Sequence, residues 1–189
     1  MMRPEAGTRS RWFTGLLAAA VVAGCGAAVE RAVYSGNAPE VRQFLDEGLD
    51  VNQGGGALFR LAVEGGHVDV ARLFLERGAD VNARNASGGT ALMVAAAFGH
   101  VDIVKLLLPR VTDINATDEK KETALYKAVN ENHVDVVRIL LAAGADPAVG
   151  EVWTLPEQAG RWDLAKKLRA ARTAPGAPAG TELPGDAGL

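Results

Sequence analysis

The stretch "GHVDVARLFLERGADVN", residues 66–82, decides the fold because it returns. "GHVDIVKLLLPRVTDIN" occupies 99–115 and "NHVDVVRILLAAGADPA" occupies 132–148, so His67, His100 and His133 stand 33 residues apart. A degenerate copy, "GNAPEVRQFLDEGLDVN", fills 36–52, and a fifth runs as "GRWDLAKKLRAA" from Gly160. After the degenerate copy, "QGGG" at 53–56 stands where a longer turn such as "ARNASGG" follows the next one, and so brings that first copy three residues closer to the second. Ahead of each histidine lies another recurring piece: "ALFRLAVEGGH" at 57–67, "TALMVAAAFGH" at 90–100 and "TALYKAVNENH" at 123–133. Self-similarity at such a period marks an array of identical supersecondary units, each burying its apolar face against its neighbours.

The period and these motifs resemble the ankyrin repeat, with its T-P-L-H-x-A and G-A-D-V-N signatures, over residues 27–170. The resemblance implies an all-α solenoid of about five stacked helix-turn-helix units joined by β-hairpin-like turns. The repeats fall at 27–52, 53–82, 83–115, 116–148 and 149–170. The residue types agree with that fold. Helices of eight or nine residues do not persist alone in water, so stability has to come from stacking. Thr90 and Thr123 suit the N-caps of first helices. Gly36, Gly66, Gly99, Asn132 and Gly160 suit left-handed stops for the same helices. Asp69, Asp102 and Asp135 lie near the start of the second helix, where negative charge is favoured.

One copy departs from the pattern. Gly48, Gly78 and Gly144 end the second helix elsewhere, but the third repeat reads "LLLPRVTD" with Val111 in the glycine place. A β-branched residue is strained at positive φ, and Pro109 disfavours a helical Leu108. The helix is therefore expected to stop early and the loop to take another path, by sequence drift in preference to a functional bulge.

The single cysteine sits where an apolar run ends. Arg3, Arg9 and Arg11 precede an uncharged stretch from 12 to 23, a basic region followed by an apolar region of signal-peptide length. Val22-Ala23-Gly24-Cys25 resembles the lipobox of bacterial lipoproteins. That resemblance implies removal of a signal peptide at 1–24 and acylation of Cys25 in a lipidated terminus at 25–26. It places the protein outside the cytoplasm, lipid-anchored and facing the periplasm, on the outer membrane in preference to the inner. Cleavage after Ala23 or Ala28, or an uncleaved anchor over 12–29, are the alternatives, and each exports the rest of the chain. The first helix would begin within a few residues of Cys25, so either the stack sits close to the membrane or the first repeat is frayed and acts as spacer. Residues 171–189, rich in Pro, Gly and Ala without periodicity, read as a disordered tail.

The chain holds 20 basic and 23 acidic side chains. Residues 1–24 contain three arginines and one glutamate, so 17 and 22 remain after processing, a net charge of -5. That balance argues against a nucleic-acid surface. One thiol allows no internal disulfide. Histidines placed one per repeat sit about 8–10 Å apart on packed helices, too far to share a metal ion. The expected role of each ring is to satisfy loop backbone groups. "QGGG" lacks the Lys-Ser/Thr of a phosphate loop, and no nucleophile elbow is present. The sequence predicts no catalytic residue, no metal and no cofactor. Trp153 and Trp162 read as closing plugs of an atypical terminal repeat interrupted by Pro156.

What remains is a surface. The ankyrin resemblance implies a protein partner, still unidentified, held by the turns and the exposed side of the first helices. The turns are 84–88 and 117–122, with Arg84, Asn85, Ser87, Glu119 and Lys120. The helix ends carry Tyr34, Phe98, Asn130 and Glu131, and the two aromatics are the expected anchors. The reading is a non-catalytic interaction module, an inhibitor or immunity partner or a scaffold of a periplasmic protein. A hydrolytic enzyme with an unrecognised acidic cleft and a secreted effector are the alternatives.

Overall fold

The computed structural model describes residues 26–150 and 152. The proposed signal peptide, Cys25, Trp153, Trp162, most of the fifth repeat and the tail lie outside the described residues. Among the described residues eight α-helices follow in pairs: α1 (Gly26–Tyr34) and α2 (Ala38–Asp46), α3 (Gln53–Glu64) and α4 (Val68–Glu76), α5 (Ala91–Ala97) and α6 (Val101–Leu107), α7 (Ala124–Asn130) and α8 (Val134–Ala142). The first helices stack in the order α1, α3, α5, α7 and the second in the order α2, α4, α6, α8, each pair also packing internally. The result is an all-α repeat solenoid, and no strand is present among the described residues.

The expected punctuation is in place. Thr90 and Thr123 are extended N-caps whose hydroxyls accept from the N–H of Met93 and Tyr126, at 3.4 and 3.0 Å. Gly36, Gly66, Gly99 and Asn132 take φ of 70°, 73°, 73° and 62°, the left-handed conformation that stops each first helix. The acids Asp69, Asp102 and Asp135 fall in the first turns of α4, α6 and α8. A single apolar core runs through the stack, with Phe59, Phe74, Met93, Ile103, Leu125 and Leu140 fully buried. Phe59 of α3 meets Phe74 of α4 edge-on at 6.4 Å. Each such side chain contributes about 1.5–3 kcal/mol on burial, which short helices need in order to persist. The first repeat is part of this core through Val29, Ala32 and Val33, so it is folded and not a frayed spacer.

Two local departures shape the surface. Gly54, Gly55 and Gly56 hold φ of 62°, 63° and 75° before the right-handed part of α3 begins, a left-handed turn in place of the longer connection used later. In the third repeat α6 ends at Leu107, two residues short of α4 and α8, and passes into a 3₁₀ turn over Leu108–Arg110. Val111 is extended at φ -75° and ψ 128°, where Gly78 and Gly144 have φ of 85° and 92°.

The altered path has a measurable register. Asn52 donates to Gly78 O at 3.1 Å and accepts from Asp80 N at 2.9 Å. One repeat later Asn82 donates to Arg110 O at 3.3 Å and accepts from Thr112 N at 3.0 Å. Those partners each lie one residue earlier than the repeat period demands. Asn115 accepts from Asp146 N at 2.8 Å, back in step. The extended Val111 thus displaces the ladder by one residue for one repeat only.

Candidate protein-binding face

The histidines bridge repeats. His67 Nε2 lies 2.7 Å from Tyr34 O, His100 Nε2 2.9 Å from Glu64 O, and His133 Nε2 2.9 Å from Ala97 O. The acceptor is each time a carbonyl near the end of the preceding first helix, so Nε2 carries the proton and donates. This is the structural role expected of the rings. Among the described residues no group of His, Cys, Asp and Glu is placed to hold a metal ion.

The turns are braced from within. Asn85 Oδ1 accepts from Ser87 N, Ser87 Oγ and Gly89 N, while its own N–H donates to Gly89 O. Asp118 repeats the device one period on, accepting from Lys120 N and Glu122 N at 3.0 Å and donating its N–H to Glu122 O. The two turns are tied together by Glu119 N donating to Ser87 O and by Arg84 Nη1 donating to Thr117 O at 2.8 Å. The polar groups of Arg84, Asn85 and Ser87 are therefore engaged inside the turns they build. Glu119 and Lys120 project from the second turn with exposed side chains.

Lys127, on α7, joins that turn to the stack. Its ammonium lies 2.9 Å from Asp118 Oδ2 and 2.7 Å from Glu122 Oε2. Burial alone would push the Asp118 carboxyl up. The Lys127 ammonium and the N–H groups of Glu122 and Lys120 outweigh burial and hold it below its ordinary value. For Lys127, burial works to lower the value, and the hydrogen bonds its ammonium donates to Glu122 and Asp118, with their negative charges, overcome it and raise it. A carboxyl lowered in this way is a poor proton donor near neutral pH, so this arrangement is structural chemistry.

Tyr34 and Phe98 are the large exposed hydrophobics among the described residues, 71% and 52% accessible. Both stand at the C-terminal ends of first helices, two repeats apart. The Phe98 ring stacks on His100 with centroids 6.0 Å apart and planes 8° from parallel. The inter-repeat histidine therefore also props the exposed aromatic. Asn130 and Glu131 hold the equivalent places on α7, where Asn130 Nδ2 donates to Glu131 Oε1 at 2.9 Å.

A cavity of about 70 Å³ lies under the altered loop, among Val81, Asn82, Thr90, Leu92, Val111 and Ala116. It is well below the roughly 300–1,000 Å³ of small-molecule sites. The register shift, the internal brace of the turns and the His100–Phe98 stack were all outside the reach of sequence reasoning. The aligned histidines were the signal that could have pointed to the last.

A stack of paired helices, held by repeat-to-repeat hydrogen bonds and offering an open rim of helix ends and turns, is a scaffold for contact with another protein. The family model for ankyrin repeats in three copies matches residues 29–118 and 83–150, more than half of the chain, and the chain belongs to that family. Ankyrin repeats are protein–protein interaction modules. A comparison with curated proteins finds no match.

Proposed function

We propose that this protein is a membrane-anchored, periplasm-facing binding module that holds a protein partner on the rim of its first helices and carries out no catalysis. The observation that carries the reading is the pair of aromatics left exposed on that rim, Tyr34 and Phe98, while the other large apolar side chains among the described residues are packed. Aromatic anchors dominate the energetics of protein interfaces. The address rests on the sequence before the repeats, where Val22-Ala23-Gly24-Cys25 closes an uncharged run behind three arginines. Among the described residues no helix is long and apolar enough to cross a membrane. Acyl chains on Cys25 supply the attachment in this reading, at about 0.8 kcal/mol per buried methylene.

The module acts either by neutralising a partner, as an inhibitor or immunity protein, or by supporting a periplasmic enzyme. The two roles separate once the partner's own activity is measured with and without the module. The binding reading is tested by placing a photo-cross-linking phenylalanine analogue at position 98 of the full chain in its host. A discrete cross-linked protein supports it, and no adduct above that of an analogue placed at Arg138, on the far helix row, refutes it. The address is tested by Cys25→Ser, which should move the protein from the membrane pellet to the soluble or unprocessed fraction. Unchanged pelleting with bound fatty acid would overturn the anchor.

A further inference from the structure

We infer that the Phe98 rim receives a cationic side chain, an arginine or lysine on a basic segment of the partner protein; this rests on the binding function proposed above. Phe98 caps the C-terminal end of α5, which is "ALMVAAA" and has no charge of its own. The helices on either side, α3 and α7, bring Glu64 and Glu131 to the same rim, both exposed. Backbone carbonyls at helix C-terminal ends add negative potential there.

The local cations that would ordinarily neutralise these glutamates are turned away. Arg60 stands one turn before Glu64 on α3, the spacing of a helical ion pair, yet its guanidinium donates to Gly55 O in the left-handed glycine turn. Lys127 stands one turn before Glu131 on α7, yet its ammonium is held by Asp118 and Glu122. Among the described residues neither Glu64 nor Glu131 makes an ion pair. A half-exposed aromatic ring, with an exposed glutamate that lacks an ionic partner at the matching end of each neighbouring first helix, is the setting in which an ammonium or guanidinium gains from both the ring face and the charges. His100 lies beside the ring in an offset, near-parallel arrangement, with centroids 6.0 Å apart, and the ring stays half exposed.

The test uses the full-length protein in detergent and two labelled dodecapeptides, (Arg-Leu-Gly)₄ and (Gln-Leu-Gly)₄, followed by fluorescence anisotropy. The arginine peptide should bind saturably and at least about tenfold more tightly than the glutamine peptide. Its binding should weaken by about tenfold in Phe98→Ala, in the Glu64→Gln, Glu131→Gln double variant, and on raising the salt from about 0.05 to 0.5 M. Both glutamates are exposed, so the double variant should keep the wild-type thermal unfolding curve. No saturable binding of the arginine peptide, equal binding of the two, or indifference to the double variant overturns the inference. A partner cross-linked through position 98 in a yield that ignores Glu64 and Glu131 sinks this inference alone. The absence of any cross-linked protein sinks the binding function beneath it.

Discussion

His67 Nε2 donates to the carbonyl of Tyr34 across a distance of 2.7 Å, joining two residues 33 positions apart in the chain. The bond is possible because the helix stop between them is glycine. A Cβ built on Gly36 would fall 2.5 Å from His67 Nδ1, and one on Gly66 would fall 2.8 Å from His100 Cε1. Each ring thus occupies the space that a side chain on the preceding repeat would need. Gly66→Ala should cost about 2–4 kcal/mol, from positive φ and from the ring together. His100→Ala should cost about 1 kcal/mol, for a lost hydrogen bond at a partly exposed carbonyl. The double variant should be less unstable than the sum, because removing the ring relieves the clash. Urea midpoints of the four proteins make the cycle, and simple additivity would contradict it.

Val111 sits where the repeat pattern has glycine, and restoring that glycine should not help. The backbone there is extended, with no positive φ to relieve, and the side chain packs against the core. Val111→Gly should destabilise by about 1 kcal/mol or more, through lost packing and a more flexible unfolded chain. A rise in the urea midpoint would contradict this account of the loop.

Lys121 presents the opposite case. It occupies the place of Gly88 in the next turn and holds φ of 62°, against 77° for the glycine. Relief of the left-handed strain should exceed the added entropy of the unfolded chain, so Lys121→Gly should stabilise by about 0.5 kcal/mol. Thermal unfolding reads the change, and a fall in midpoint would count against it.

Acid should act through Asp118. Its folded value is lowered, so the stability it provides is fully present above the unfolded carboxylate value of about 3.9 and is lost as pH falls through the folded one. Lys127 has the reverse sign: its folded value is raised, so its contribution is present below the unfolded value of about 10.4 and is lost as pH rises through the folded one. Asp118→Asn should keep the turn, since Asn85 makes the same turn bonds, while removing part of the acid-side loss. Urea midpoints between pH 2 and 7 make the comparison, and an identical acid limb in the variant would contradict it.

The sequence made the stack legible because its signals are local. Threonine caps, left-handed glycines and a repeated histidine each report a backbone need that recurs at a fixed spacing. The early end of α6 was legible at Pro109 and Val111, but not by way of Leu108, which stays right-handed helical at φ -48° and ψ -42°; Pro109 stops the helix because it has no N–H to give to the ladder. What the partners of those residues are depends on how one repeat sits on the next, and no local signal carries that. The spacing of the histidines shows that they satisfy backbone groups, but not which carbonyl each ring reaches or that His100 lies beside Phe98. The polar partners of Arg84, Asn85 and Ser87 are not legible in the sequence either. Their hydrogen bonds lie within and between the turns. Tyr34 and Phe98 stood out since they are large and apolar where the period expects solvent, and both are exposed.

Whether Phe98 centres a binding face is decided by quantitative capture of the full-length protein from detergent-solubilised membranes of its host, with wild type and Phe98→Ala compared by mass spectrometry. One protein recovered near stoichiometry with wild type and depleted at least about tenfold with Phe98→Ala is the predicted result. Recovery of the same proteins at the same level from both, or none above background from either, would contradict a binding face centred on Phe98.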